Sequence, residues 1–219
     1  MLSRVLRVFS VAVVVTVVFA NPVLAGPPLL CHPFDIGSAK SLPWDGTRGW
    51  ASGRADYLVA NLSADLDALL TPSTPVIVRM ETMRRAAIYA SRDLKVAEQL
   101  KARLSTRVQA AEAAGRSDTM ANLDLAYLVE AFRQIGYLTG HPDFAGRTAA
   151  VRGLAGATDG YALVKKCLTA RPGDPELEFA AALIVADKNR TAFQEHSRKA
   201  RAAASRDDLI ARNVDKLSQ

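Results

Sequence analysis

From Arg54 onward, apolar residues recur every three or four positions, the spacing that turns one face of an α-helix toward a core. Residues 56–70 place Leu58, Leu62, Leu66, Leu69 and Leu70 on one side, and Thr71-Pro72-Ser73-Thr74-Pro75 ends the pattern, because proline has no amide to donate. Pro75 is suited to open the next helix, in which Val76, Met80, Met83, Ala87 and Ala90 share a face. Residues 93–114 carry Leu94, Ala97, Leu100, Leu104, Val108 and Ala111 inward, with Gly115 as the cap. The stretch from Ser117 to about Leu138 turns Met120, Leu123, Tyr127, Ala131, Ile135 and Leu138 inward, and Gly140-His141-Pro142 ends it. Four shorter helices are predicted at 159–169, 176–186, 191–204 and 207–217. The second of these is apolar nearly all round, which predicts a helix sandwiched between others. No run of alternating β-branched residues interrupts the body. The expectation is an all-α domain over 54–219, with about seven or eight helices in antiparallel pairs packed closely through their many alanines.

The pattern fails upstream of Arg54. Residues 26–53 hold Pro27, Pro28, Pro33 and Pro43, four glycines before Gly53, and both tryptophans, with no helical or alternating period. Fixed φ angles and missing donors predict an extended or looped head. It is too apolar for a linker: Leu29, Leu30, Phe34, Ile36, Leu42, Trp44 and Trp50 need cover. The head is therefore expected to lie along the helical body, with Trp44 and Trp50 as its principal anchors because large rings bury the most area. The alternative is that both tryptophans stand exposed as a partner-binding patch.

Residues 1–25 have a third character. Arg4 and Arg7 precede an apolar run from Val8 to Ala20, Asn21-Pro22 breaks it, and Val23-Leu24-Ala25 suits a signal peptidase. This is the layout of a secretory signal peptide, and the run is short of the roughly 20 residues a bilayer span needs. The expectation is cleavage near Ala25 and a periplasmic or secreted protein with no membrane span after cleavage.

Composition narrows the function classes. The chain has 219 residues, 49% hydrophobic and 23% charged, with a net charge of +6. Half-apolar content argues against disorder. Losing Arg4 and Arg7 with the leader lowers the charge to +4. Basic pairs at Arg84-Arg85 and Lys165-Lys166 fall in helical patterns and form no concentrated stripe, so nucleic acid is not an expected partner.

A resemblance enters at Pro172 with Asp174-Pro175-Glu176, which looks like the boundary between two tetratricopeptide repeats, the 34-residue helix pairs. On that register Gly160, Val164 and Cys167 fall at the small, bulky and small positions of the preceding helix, and Ala182 at the small position of the next. Glu178 stands where the repeat's usual tryptophan would be, and the helix after it is out of phase. The resemblance covers about 30 residues. It implies helix pairs stacked as a tetratricopeptide-like α-α superhelix, whose concave surface binds a protein or peptide. The head, from Pro27 to Gly37 and through Ser41-Leu42-Pro43-Trp44, is similar to the start of uncharacterised secreted bacterial proteins.

Candidate chemistry is sparse. Cys31 and Cys167 are the only cysteines. An exported chain permits a bridge between them; the competing reading is a small core residue at Cys167 and a free or buried thiol at Cys31. Cys31-His32 offers two metal ligands, but a closed zinc site needs four, and adjacent side chains in an extended segment point to opposite faces. His141 or His196 would have to supply the base for a Cys31 nucleophile. There is no GxSxG, HExxH, phosphate-binding or calcium-binding motif. Glu81, Asp124 and Glu130 sit in apolar helical stretches, and Glu81 has Arg84 and Arg85 at salt-bridge spacing. The reading is an exported non-enzymatic helical-repeat protein that binds a protein or peptide partner, without a cofactor. Trp44, Trp50, Arg79, Arg84 and Arg85 are the candidate contact residues. The alternative is a small exported enzyme or metal-binding protein centred on Cys31-His32.

Overall fold

The computed structural model describes residues 26–47 and 49–218, so the expected export segment, residues 1–25, lies outside the described residues. Among the described residues nine α-helices follow the head: α1 Leu62–Leu69, α2 Val76–Ala90, α3 Leu94–Ala113, α4 Thr119–Ile135, α5 Thr148–Ala155, α6 Gly160–Ala170, α7 Pro175–Val185, α8 Arg190–Arg201 and α9 Asp208–Asn213. Single 3-10 turns occupy Val59–Asn61, Pro142–Phe144 and Val214–Leu217. The protein is all-α, with no strand among the described residues and one isolated bridge between Trp44 and Gly53.

Local chemistry explains the helix ends. Asp93, Asp118, Asp159, Asp174, Asn189 and Asp207 each precede a helix, and their side-chain oxygens accept from amides of its first turn. Those amides have no partner inside the helix. At the other end of α3, Gly115 takes φ +66° while Arg116 N–H donates to Ala111 O at 2.9 Å. This is the glycine-ended cap that the sequence suggests.

α2, α4 and α7 form the centre and are buried along nearly their whole length. α4 packs against α2, α3, α5, α6 and α7; α7 packs against α6 and α8 and also reaches α2. Gly160 opens α6 where it crosses α4. A Cβ there would lie 2.5 Å from Glu130 Cγ and 2.9 Å from Ala126 O, so only glycine allows the approach. Val164 and Cys167, from the same face of α6, are completely buried, as is Ala182 in α7.

Three expectations need correction. α1 begins at Leu62, after a 3-10 turn, which leaves Leu58 67% exposed and off the inner face. Leu94 is the first residue of α3 and projects past the body, 39% exposed. α5 had no sequence signal: Gly146, Gly153 and Gly156 punctuate its region, and only Thr148, Val151 and Ala155 are buried.

The head is part of the core. Leu29, Leu30 and Leu42 are fully buried, and Phe34 packs edge-on to Phe179 of α7. Burying such side chains contributes about 1.5–3 kcal/mol each. Trp44 and Trp50 dock less deeply. Trp44 lies under the Arg84 and Arg85 guanidiniums, at 4.9 and 5.7 Å, and edge-on to Tyr89. Trp50 packs on His141 and Phe144. Both rings are half-buried, so the leucines are the principal anchors and the tryptophans cover the seam.

Candidate functional site: a groove along α3

An extended segment without a ladder must find partners for its main chain elsewhere, and helix side chains supply them here. Leu29 N–H donates to Gln134 Oε1 at 2.9 Å, and Tyr127 Oη donates to Leu29 O at 2.6 Å. Phe34 N–H donates to Glu81 Oε2 at 3.0 Å. Asn213 grips both sides of Asp35, accepting from its N–H at 2.9 Å and donating to its carbonyl at 2.8 Å. Arg84 Nη1 donates to Leu30 O and Trp50 O, and Arg85 Nη1 to Leu42 O.

Of the candidate contact residues, Arg79 and Arg84 lie in the interior and Arg85 is mostly covered. Arg84 is fully buried and forks onto Glu81, with Nε–Oε2 at 2.7 Å and Nη2–Oε1 at 2.8 Å, while Arg85 Nε reaches Oε1 at 2.7 Å. Burial would raise the Glu81 carboxyl, but the hydrogen bonds and charges of Arg84 and Arg85 outweigh it and hold Glu81 below its ordinary value. Arg79 is 1% exposed and pairs through Nη1 with both oxygens of Asp124, at 3.0 and 2.7 Å. Arg79 and Arg84 therefore line no surface, and Arg85 is mostly covered by the head. The spacing of Glu81 to Arg84 and Arg85 was readable as a salt bridge, but its depth was not.

The two cysteines are separate thiols. Cys167 Sγ donates to Thr119 O at 3.2 Å inside the α6–α4 contact. Cys31 is half-buried, and burial pushes its thiol up to about 11 against the opposing charge of Arg84. A thiol that high is a poor nucleophile and a poor ligand near neutral pH. His196 is engaged by Tyr161 Oη, 2.8 Å from Nε2, and by Glu178 at Nδ1. Glu178, the departure from the repeat pattern, thus orients a histidine. No group of three or more His, Cys, Asp or Glu side chains could hold a metal ion among the described residues.

Open clefts lie along α3. Three clefts run end to end there. The first is a cavity of about 270 Å³ walled by Leu66, Leu70, Leu100 and Leu104, with Asp124 on its floor and the Arg103–Asp67 pair and Arg107 beside it. The second, of about 490 Å³, shares Arg107 and lies over the start of α4. The third, of about 560 Å³, shares Arg116 and Ser117 with the second and continues onto α6 at Lys165 and Lys166. Six basic side chains line the run against four acidic ones.

Arg103 pairs with Asp67, Arg107 with Asp118 at 2.8 Å, and Lys166 with Glu112 at 2.6 Å. Arg116 and Lys165 are exposed and have no carboxylate partner among the described residues. Partial burial would raise the Asp118 carboxyl, yet the Ala121 N–H and Arg107 hold it below its ordinary value. Arginines of α3 at positions 103 and 107 signal the groove in sequence only as an i,i+4 pair; its opposite wall comes from α1, α4 and α6.

No family model matches the chain, and neither a curated protein nor a solved structure is similar to it. Function therefore rests on this geometry.

Proposed function

We propose that this is an exported, non-enzymatic helical protein that binds an extended acidic segment of a partner protein in the groove along α3. The observation that carries the reading is the continuity of the three clefts through Arg107 and Arg116, with an excess of basic side chains along them. Exposed cations without a carboxylate partner raise the local concentration of an oppositely charged partner and set which partners are rejected. The way the body holds its own head supports the same reading. Side chains on α2, α4 and α9 grip the main chain of an extended segment, so this scaffold is suited to polypeptide in that form. The resemblance to a tetratricopeptide boundary falls where α6 meets α7, with small Gly160, Cys167 and Ala182 in those two helices. Export follows from the leader-like layout of residues 1–25.

The test is fluorescence anisotropy with a short Asp/Glu-rich peptide and a Lys-rich peptide of equal length. Only the acidic peptide should bind, more weakly at high salt. The Arg116→Glu, Lys165→Glu double variant should lose about tenfold in affinity, which corresponds to about 1.4 kcal/mol. Equal binding of both peptides, or indifference to the double charge reversal, refutes the reading.

A further inference from the structure

The cavity at the α1 end of the groove differs from the open clefts beside it. Four leucines line it together with Asp67, Arg103 and Arg107, and its floor is a carboxylate, Asp124, that is 1% exposed. An ionised carboxylate has about four acceptor positions. Asp124 uses one on each oxygen, both for Arg79 Nη1, and no other hydrogen bond reaches it among the described residues. Each oxygen of this buried carboxylate thus has one donor and keeps capacity for another where it borders a cavity lined in part by leucines.

We propose that this cavity is an anchor pocket for a phenol, presented by the partner segment as a tyrosine side chain whose hydroxyl donates to Asp124. The proposal rests on the groove reading for the source of the phenol, but not for the pocket itself. Size fits: an apolar cavity of about 150 Å³ is enough to hold benzene, and this one is about 270 Å³. The lining balances two arginines, Arg103 and Arg107, against two carboxylates, Asp67 and Asp124, so a charged head of either sign would meet a like charge there. A neutral donor on a flat apolar body avoids both. A phenol is un-ionised near neutral pH, and its O–H to a carboxylate is a strong, charge-assisted bond. Burial pushes the Asp124 carboxyl up to about 6, against the charge and hydrogen bonds of Arg79, and a further donor would stabilise its ionised form.

The experiment titrates the protein with p-cresol and with toluene by calorimetry at pH 7. Two Asp/Glu-rich peptides, identical except for one central Tyr or Phe, are measured beside them. p-Cresol should bind at least about tenfold tighter than toluene, because a site shaped for a hydroxyl rejects the analogue lacking it. The Tyr peptide should exceed the Phe peptide by a similar factor. Leu70→Trp, at a half-buried lining position, should abolish p-cresol binding. Arg116→Glu should leave p-cresol unaffected. Equal affinity for p-cresol and toluene, no binding of either, or insensitivity to Leu70→Trp overturns the pocket. If Tyr and Phe peptides bind equally well, the pocket fails while the groove stands. If p-cresol binds and neither peptide does, the pocket stands and the groove reading fails.

Discussion

Glu81 and Asp124 are both carboxylates buried in the central helices of one body, yet their surroundings push them in opposite directions. Glu81 accepts from Arg84, Arg85 and the Phe34 main chain. Asp124 accepts from Arg79 alone and borders a cavity. Saturation makes the first an ionised strut under the head; spare acceptor capacity makes the second a place where something can be received. Burial by itself is the same for both. The number of donors decides which carboxylate is structural and which is available, because desolvating a charge is tolerated only when hydrogen bonds replace the lost water.

The comparison is broken most strongly at Glu81. Glu81→Ala leaves Arg84 buried without its partner and frees Arg85 and Phe34 N–H, so about 3–5 kcal/mol should be lost, read as a lower denaturant midpoint in chemical unfolding. Asp124→Asn retains an acceptor for Arg79 and should cost less. The reverse order would mean that donor count does not separate the two sites.

The pH dependence should separate them next. The Glu81 carboxyl lies below its ordinary 4.5 when folded, so its contribution is complete above that value and is lost as pH falls through the lower folded one. The Asp124 carboxyl rises from 3.8 to about 6 on folding. The folded state then binds the proton first, and stability from this group declines as pH rises from about 4 to 6. Unfolding midpoints across that range should show Asp124→Asn gaining on the wild type as pH increases, and Glu81→Gln not doing so. A wild type that gains on Asp124→Asn over the same interval would show that Arg79 fully compensates the burial.

The smallest expected effect is at the thiols. Reductant should leave the melting temperature unchanged, and denatured protein should titrate two free thiols without reduction. A Cys31–Cys167 bridge would instead make reduction cost about 2–5 kcal/mol.

Much of the fold was legible because it is local. The three-to-four-residue apolar period found eight of the helices. The proline turn at 171–175 and Gly115 marked ends that depend only on neighbouring residues, and the all-round apolar stretch of α7 announced its central position. α5 escaped because three glycines and a single Val-Leu-Ala group give no period. The groove was illegible because its walls come from α1, α3, α4 and α6, more than 90 residues apart at the extremes.

By itself, the sequence determined that the body is helical, where most of its helices stop, and that the head is too apolar to stand in water. Those properties follow from backbone donors, capping side chains and side-chain hydrophobicity, which each residue carries with it. Only the tertiary structure decided that Arg79 and Arg84 are interior while Arg116 and Lys165 are not, that leucines rather than tryptophans anchor the head, and that Asp124 borders a cavity where Glu81 is enclosed. A charged side chain reads the same in sequence whether water or another helix covers it. Which of the two does so is set by the crossing of helices far apart along the chain.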